Sequence, residues 1–250
     1  MPMTNKRAPI KQAMVLAAGL GTRMRPITNT MPKPLVPVAG KPMIDYVLDS
    51  LREAEVERAV VNVHHFADQM AAHLAAYKGL EILISDERDA LMNNGGGIVK
   101  GLKLLDRSTI FVMNADLFWI GETPGKPTNL QHLAGFFDPE HMDMAMLCVD
   151  IDNTTGHNGI NDFGMDAAGR LRRYRDDPAN PVVYAGAFAM NPSFLDDAPS
   201  DAFNINIYFD KAIARGRLYG TMLEGHWITV GTPEALPEAE AVIARYPVEA

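Results

Sequence analysis

The first half of the 250-residue chain alternates short apolar runs with longer segments whose apolar residues recur at helical spacing. In one segment apolar residues fall at positions i, i+3, i+4 and i+7, which predicts a helix that begins near Pro42. Further helices are predicted around residues 70–77 and 95–105. The predicted strands are residues 14–18, 59–63, 80–84 and 109–113. Because strands alternate with helices, we predict βαβ units and a mainly parallel sheet.

From about residue 142 the pattern changes to strands and hairpins. The predicted strands are residues 144–149, 163–166, 171–174, 182–190, 218–223 and 226–230, with helices at 207–214 and from Pro233. We therefore predict an α/β fold of three layers, with a mainly parallel central sheet and a smaller mixed β lobe. Residues 1–9 are expected to form a flexible tail. Residues 10–250 are expected to form a single domain with halves of about 10–140 and 141–250.

Composition excludes several classes of protein. Apolar residues make up 47% and charged residues 22% of the chain, which is ordinary for a globular protein. The net charge of −8 argues against nucleic acid or an anionic membrane as the main partner. The sequence has no apolar stretch of about 18 residues and no secretory signal pattern. Since it also has a single cysteine, we expect a cytoplasmic protein.

A glycine-rich loop after the first predicted strand carries the most specific chemistry. Gly19 and Gly21 lack a Cβ atom, so the loop can bring its N–H groups close to an anion. Arg23 offers a planar fork of donors that suits phosphate oxygens, and Lys33, between two prolines, offers a compact positive charge. The segment therefore predicts a cradle for a polyphosphate.

Two other kinds of glycine-rich loop are disfavoured by the residues after Gly21. A dinucleotide-binding loop needs a third glycine where this chain has Met24, which argues against a Rossmann oxidoreductase. A Walker loop needs Lys and then Ser or Thr directly after the second glycine, whereas Gly21 is followed by Thr22 and Arg23.

A strand-end aspartate and a second glycine run offer further groups that could contact a ligand. The strand at residues 109–113 leads to Asp116, and ligands of open α/β sheets collect beyond the carboxyl ends of strands. The glycine run at residues 95–97 predicts a helix start with free N–H groups and the positive end of the helix dipole. Because both follow parallel strands, we expect the glycine loop and Asp116 to converge at one edge of the sheet.

The run from Leu16 to Thr28, continued to Pro32-Lys33-Pro34, resembles the signature of sugar-1-phosphate nucleotidyltransferases. The likeness covers nearly the whole chain and implies the Rossmann-like three-layer fold of that family. Within the family the chain is most similar to the bacterial N-acetylmuramate-1-phosphate uridylyltransferases of cell-wall recycling. This narrower likeness rests on chain length, on residues 95–98 and on the ending at residues 227–233.

The resemblance implies transfer of a nucleoside monophosphate from a triphosphate, here UTP, to N-acetylmuramate-1-phosphate, with release of pyrophosphate. It implies catalytic roles for Arg23, Lys33 and Asp116, and makes Asp116 the ligand of Mg²⁺. The nucleotide-binding residues that it implies are Ala18, Gly19, Gly21, Thr22, Arg23, Lys33, Asn93, Gly95 and Gly96. The first half is thus expected to bind the nucleotide. The second half is expected to bind the sugar through Asp162, Tyr184, Gly186 and Asn204.

Two departures from the family pattern leave parts of the site open. Many members have a second metal-binding aspartate where this chain has Thr229, and Glu224 or Asp162 is a candidate replacement. Asn93 and Asn94 stand where relatives often carry an acidic residue and Thr, so the identity of the base is open. The Glu-x-Lys-Pro element that holds the sugar phosphate in many relatives is not found. Its candidate replacements are Arg172, Arg173 and Arg175.

These departures keep other functions open. One is the same reaction on another pair, such as mannose-1-phosphate and GTP. Another is a catalytically silent regulatory protein that binds nucleotide sugars. The intact set of Gly21, Arg23, Lys33 and Asp116 favours catalysis. The expected partners are a nucleoside triphosphate and a sugar-1-phosphate, without nucleic acid or membrane, and the expected assembly is a monomer or small homo-oligomer.

Overall fold

The computed structural model describes residues 9–176 and 179–246. The predicted tail, residues 1–9, lies outside the described residues except for residue 9. The elements of the first half are β1 (Gln12–Leu16), β2 (Pro37–Val38), β3 (Lys41–Pro42), α1 (Met43–Glu53), β4 (Arg58–Val63), α2 (Ala67–Ala76), β5 (Glu81–Asp86), α3 (Asn93–Leu102), β6 (Ile110–Asn114), β7 (Leu117–Ile120) and α4 (Asn129–Phe136).

The second half begins with the buried strand β8 and ends with the helix α6. Its elements are β8 (Met144–Val149), β9 (Thr154–Thr155), β10 (Phe163–Met165), β11 (Leu171–Arg173), β12 (Pro181–Met190), α5 (Asn206–Ala214), β13 (Leu218–Met222), β14 (His226–Thr229) and α6 (Ala235–Ile243). Short 3-10 turns lie at Thr22–Met24, Ile27–Asn29, Lys33–Leu35, Ile151–Asn153 and Pro192–Leu195.

One large sheet joins the two halves of the chain. Its strand order is β11-β10-β12-β6-β1-β4-β5, and β8 pairs with both β12 and β13. Strand β1 runs parallel to β4 and to β6, and β4 runs parallel to β5. Strand β12 then continues the sheet antiparallel to β6, so the strands predicted for the mixed lobe extend the same sheet. The predicted α/β fold with a mainly parallel centre is confirmed.

Helices cover both faces of this sheet, because successive strand residues point to opposite sides. Ala13 and Val15 of β1 pack in a cluster with residues of α1, α2 and α4. Met14 points the other way and packs in a cluster with Ile98 of α3 and with residues of α5. A helix, sheet and helix sandwich results, which is the predicted three-layer arrangement.

Two elements between Asp116 and residue 137 were not predicted. Strand β7 is a short apolar run, and it pairs antiparallel with β14 in a separate three-stranded sheet that also contains β9. Helix α4 begins at a capping box in which the Thr128 hydroxyl accepts from the Gln131 N–H. In the described part of the chain, no helix is long and apolar enough to cross a membrane.

Candidate functional site

A cavity of about 340 Å³ lies at the carboxyl edge of the parallel strands. Since β1, β4 and β6 run in the same direction, the residues at their carboxyl ends meet at this edge. The predicted convergence of the glycine loop and Asp116 is therefore observed, and Asn93 at the start of α3 lines the same cavity. The cavity is lined by Leu16, Ala17, Ala18, Gly19, Lys33, Pro34, Asn62, Leu91, Asn93, Asn94, Asn114, Asp116 and Asn204.

The glycine loop after β1 folds tightly against Lys33. Gly21 adopts a φ of 61°, in the left-handed region that favours glycine, and its carbonyl accepts a hydrogen bond from Thr28 Oγ1 at 2.7 Å. A Cβ atom at Gly21 would lie 3.0 Å from both Lys33 Cβ and Thr28 Cγ2. Gly19, in contrast, is exposed with open space around it, so its backbone remains accessible to a ligand.

Lys33 and Asp116, which the sequence predicts as catalytic, form an ion pair. Lys33 Nζ lies 2.6 Å from Asp116 Oδ2, and Lys33 as a whole is only 8% exposed. The Asp116 side chain keeps 37% of its surface exposed, and Oδ1 has no hydrogen bond with the residues that the structure describes. The pair therefore presents a fixed ammonium group beside a carboxylate that still faces the cavity.

Arg23 lies in a second cavity and not in the one that Lys33 lines. This cavity of about 360 Å³ is bounded by the loop 156–159, by Trp227 and Thr229 of β14, and by residues 231, 232 and 235. Arg23 is exposed, and with the described residues its guanidinium forms no hydrogen bond or ion pair. Thr22 precedes it in the same exposed turn. The two predicted phosphate cations, Lys33 and Arg23, thus line different cavities.

Thr229, at the position where the resemblance implies a second metal-binding aspartate, lies close to Asp116 because β14 pairs with β7. It is the register partner of Leu117, which follows Asp116 directly. Glu224, a candidate replacement, lies beyond the other end of this ladder, where His226 pairs with Ile120. Its carboxylate bonds there with Thr123. Glu224 therefore lies far from Asp116, because the paired strand between them spans about 10 Å.

The start of α3 differs from the predicted helix start with free N–H groups, because the helix begins earlier and the Gly95 N–H has a partner. The helix begins at Asn93, and Asn94 Oδ1 accepts a hydrogen bond from the Ile205 N–H at 2.9 Å. The Gly95 N–H donates to the Phe203 carbonyl at 3.0 Å, and a Cβ atom at Gly95 would overlap the Phe203 ring. A Cβ atom at Gly96 would lie 3.0 Å from the carbonyl of Asp201. Here the two glycines make room for residues 201–205, while Asn93 lines the cavity.

The four predicted sugar-binding residues do not form one group. Asn204 lines the first cavity, where its Oδ1 accepts from the Asn206 N–H at 2.9 Å. Gly186, at a φ of 77°, lies at an irregularity in the pairing of β12 with β8 and abuts Leu117. Its missing side chain accommodates that leucine.

Asp162, which directly precedes β10, and Tyr184 of β12 are neighbours. The Tyr184 N–H donates to Asp162 Oδ2 at 2.9 Å. Although Asp162 retains exposed surface, desolvation by the protein around its carboxyl raises its pKa, opposed by this hydrogen bond and by His157 and Arg173. Burial among aromatic rings, with the nearby Asp162 carboxylate, also raises the pKa of Tyr184 well above its ordinary value. At neutral pH the phenol is therefore protonated.

The arginines proposed to hold a sugar phosphate have other surroundings. Arg173 Nε donates to Asp210 at 2.8 Å, and its guanidinium stacks 5.0 Å from the centre of the Phe163 ring. Arg175 Nε lies 3.6 Å from Asp176. Arg172 is exposed on β11. Arg173 is therefore already committed to contacts within the protein.

Sequence reasoning missed Asn62, Leu91 and Asn114 in the cavity wall. Asn62 is 2% exposed and interrupts the apolar run that follows Arg58 in the β4 sequence RAVVNV, which was a usable signal. Within the described residues, the carboxylate and imidazole atoms of Asp138, Glu140 and His141 cluster within 4.8 Å. That group precedes β8 at the opposite edge of the sheet, because Met144 aligns through β12 with the first residue of β6.

The sequence matches known proteins over nearly its whole length. The family model described as nucleotidyl transferase covers residues 12–245. The chain is 44% identical over 238 residues to the N-acetylmuramate alpha-1-phosphate uridylyltransferase of Caulobacter vibrioides, covering 94% of this chain and 97% of that protein. It is 30% identical over 239 residues to the protein of the same name from Neisseria meningitidis, covering 92% and 97%.

Other relatives are more distant. Mannose-1-phosphate guanylyltransferase 1 of Arabidopsis thaliana is 29% identical over 231 residues, which span 89% of this chain but 62% of that protein. Among solved structures, the inositol-1-phosphate CTP transferase from T. maritima superposes with a TM-score of 0.76 at 18% identity, covering 97% of this chain and 100% of that chain. UDP-glucose pyrophosphorylase complexed with UDP-glucose gives a TM-score of 0.76 at 19% identity, covering 95% and 100%. These two structures share the fold.

Proposed function

The chain belongs to the nucleotidyl transferase family, as its motifs predict, and we propose that it transfers a uridylyl group from UTP to N-acetylmuramate α-1-phosphate. The relatives at 44% and 30% identity, which align over almost their full lengths, support this substrate pair. The observation that carries the chemistry is the Lys33–Asp116 ion pair beside the glycine loop, at the edge where the parallel strands end. We propose the cytoplasm and peptidoglycan recycling as its setting.

In the reaction, an oxygen of the sugar phosphate attacks the α-phosphorus of UTP. A new P–O bond forms as the bond between the α-phosphorus and the bridging oxygen breaks, and pyrophosphate leaves with that oxygen. Such transfer needs little covalent help, so positioning and charge stabilisation dominate. Lys33 stabilises charge at the α-phosphate. Arg23 is exposed in the second cavity and has no hydrogen bond or ion pair with the described residues, and it binds the departing pyrophosphate.

The donor set around Asp116 fits Mg²⁺. Asp116 Oδ1 is free of protein hydrogen bonds within the described residues, and Mg²⁺ accepts one carboxylate together with phosphate oxygens and water. Asp116 would hold the ion, and the neutral Thr229 hydroxyl nearby would add little. When bound, Mg²⁺ supplies charge stabilisation at the phosphate oxygens.

Base and sugar contacts follow from the cavity walls. Asn93 lines the first cavity, and its side chain has no hydrogen bond with the described residues, so we propose that its amide reads the uracil edge. Ala18 and Gly19 line the same cavity. Gly95 and Gly96 leave room for Phe203 and Asp201, so that residues 201–205 pack against the start of α3. Asp162, with its backbone partner Tyr184, remains the proposed hydroxyl-binding pair for the sugar.

The test is pyrophosphate release with Mg²⁺ over a panel of nucleoside triphosphates crossed with sugar-1-phosphates. Release with UTP and N-acetylmuramate α-1-phosphate is expected. Release with GTP and mannose-1-phosphate would replace the substrates and keep the mechanism, in line with the 29% identical guanylyltransferase. Nucleotide binding without release for any pair would favour a silent regulatory protein and would overturn the proposed reaction.

A further inference from the structure

A buried carboxylate is hydrogen-bonded to Asn62, which lines the first cavity. Glu87 follows β5 and has none of its surface exposed. Its Oε1 accepts a hydrogen bond from Asn62 Nδ2 at 2.7 Å, and its Oε2 accepts one from the Met92 N–H at 3.1 Å. No Lys, Arg or His side chain within residues 9–176 and 179–246 forms an ion pair with Glu87. Two N–H groups therefore satisfy this carboxylate.

Asn62 connects the carboxylate to the glycine loop. Its Oδ1 accepts a hydrogen bond from the Ala17 N–H at 2.6 Å, while its Nδ2 donates to Glu87. A continuous chain of hydrogen bonds thus runs from Ala17, through Asn62 and Glu87, to Met92. Ala17 opens the loop after β1, and Met92 directly precedes α3. This series of hydrogen bonds connects the glycine loop to the start of α3, which both line the first cavity.

The surrounding backbone holds this pair in place. The Glu87 N–H donates to the Val63 carbonyl at 2.8 Å, and His64 Nδ1 lies 2.7 Å from the Glu87 carbonyl. A Cβ atom at Gly97 would lie 2.7 Å from Asn62 Nδ2 and 2.9 Å from Glu87 Oε1. Gly97, the third glycine of the run, therefore leaves the space that the two side chains occupy.

Packing alone does not account for this arrangement. Burying an ionised group costs free energy, and apolar residues of similar volume often stabilise a fold as well or better. An apolar pair in place of Asn62 and Glu87 would fill the volume. It would leave the N–H groups of Ala17 and Met92 without acceptors and so without a fixed direction.

We propose that Asn62 and Glu87 are positioning residues for the nucleoside triphosphate. By accepting hydrogen bonds from Ala17 and Met92, they fix the separation between the glycine loop and the start of α3, between which the nucleotide binds. This inference rests on the proposed nucleotide binding in the first cavity. Disturbing the pair should weaken nucleotide binding and leave the sugar phosphate unaffected.

The first variant is Glu87→Gln, which removes one acceptor and leaves one of the two N–H donors unsatisfied. The expected result is a Kd for UTP, measured calorimetrically without sugar phosphate, that rises about tenfold, since an unsatisfied buried donor is costly. The KM for the sugar phosphate should not change. A merely structural role would lower the melting temperature without separating these two constants.

The double variant Asn62→Asp with Glu87→Gln tests the hydrogen bonds themselves. The introduced aspartate can accept from Ala17 and from the introduced glutamine, whose oxygen can accept from Met92, while the net charge of the pair is kept. UTP affinity is expected to recover to within about threefold of the wild-type protein, as coupled residues do when their interaction is restored. A double variant no better than Glu87→Gln contradicts the proposal.

A matched control lies at the other end of β1. Gln12 is a buried amide whose Nε2 donates to Ser108 Oγ at 2.5 Å and whose Oε1 accepts from the Asp106 N–H at 2.9 Å. Gln12→Ala should lower the melting temperature and leave UTP affinity unchanged. Comparison with Glu87→Gln then separates the loss of stability from the loss of nucleotide positioning.

Gly97→Ala keeps the proposal testable if Glu87→Gln fails to fold. Alanine favours helix over glycine by about 1 kcal/mol, which offsets part of the destabilisation, while its methyl group displaces the Asn62–Glu87 pair. Weakened UTP binding is again expected. If the wild-type protein binds UTP and the variants bind it equally well, this inference alone is overturned. A wild-type protein that binds no nucleoside triphosphate overturns the proposed function as well.

Discussion

The two cavities hold their predicted phosphate cations differently. Lys33 is buried, and its ammonium group lies 2.6 Å from Asp116 Oδ2. Arg23 is exposed in the second cavity and makes no hydrogen bond or ion pair with the described residues. The first cavity is therefore preorganised by protein contacts, whereas the second leaves its cation for a ligand to order. Substitutions in the two cavities should differ in their effects on catalysis and stability.

The largest effect is expected for Lys33→Ala. Loss of the ammonium group removes a fixed positive charge at the α-phosphate, which should lower kcat/KM about 10³-fold. Steady-state pyrophosphate release measures this change. Lys41→Ala is the control, because Lys41 pairs with Asp49 away from both cavities. Undiminished turnover in Lys33→Ala would remove Lys33 from the mechanism.

Arg23→Ala should lower kcat/KM about 10²-fold through loss of the pyrophosphate contact. Because Arg23 has no partner among the described residues, the free energy of unfolding should change by less than about 0.5 kcal/mol. Activity assays and denaturant unfolding together test the pair of expectations. Arg25→Ala, two residues along the same exposed segment, should change neither quantity. A large loss of stability in Arg23→Ala would contradict the view of the second cavity as open.

Thr229→Asp tests whether a residue of the second cavity can contribute to the metal site at Asp116. A carboxylate at the register partner of Leu117 would add a charged oxygen ligand near Asp116. Binding of Mn²⁺ in the presence of nucleotide, measured by electron paramagnetic resonance, should tighten about tenfold because affinity follows ligand charge. Thr232→Asp places the same charge elsewhere in the second cavity and should have less effect. Equal binding by wild type and Thr229→Asp would mean that residue 229 does not face the ion.

The smallest effect is expected at Asp162. Its pKa is raised by desolvation, so the folded protein holds this proton more tightly than the unfolded chain. Asp162 therefore lowers stability as pH rises from the ordinary carboxyl range of about 3.9 through its folded pKa. Asp162→Asn retains an acceptor for the Tyr184 N–H and should gain stability relative to wild type over that rise. Urea unfolding at several pH values tests this, and a difference independent of pH would refute it.

The element pattern was largely predictable because it depends on local apolar spacing. The predicted strands lie within two residues of the observed ones at each end. Strand β7 and helix α4 were missed, although Thr128 and Gln131 mark the helix start with a capping box. Strand β7 gains its stability from pairing with β14, more than a hundred residues later, which no local pattern reveals.

The chemical groups were less completely predictable. The motif identified Lys33 and Asp116, and the parallel strands predicted that they would converge. The roles of the three glycines after Asn94 depended on distant neighbours: Phe203, Asp201 and the Asn62–Glu87 pair. Residue type alone does not distinguish a glycine that admits a ligand from one that admits another part of the chain.

The amino-acid sequence alone was enough to identify the family, the alternation of strands and helices, and the two cations in and after the glycine loop. These are properties of residue identity and local spacing. Three outcomes became visible only in the folded protein. Arg23 lines a different cavity from Lys33, and Glu224 lies at the far end of the β7–β14 ladder from Asp116. Glu87 is buried beside Asn62. Each of these outcomes depends on strand register and on contacts between residues far apart in the chain, because burial and pairing exist only after the layers have packed.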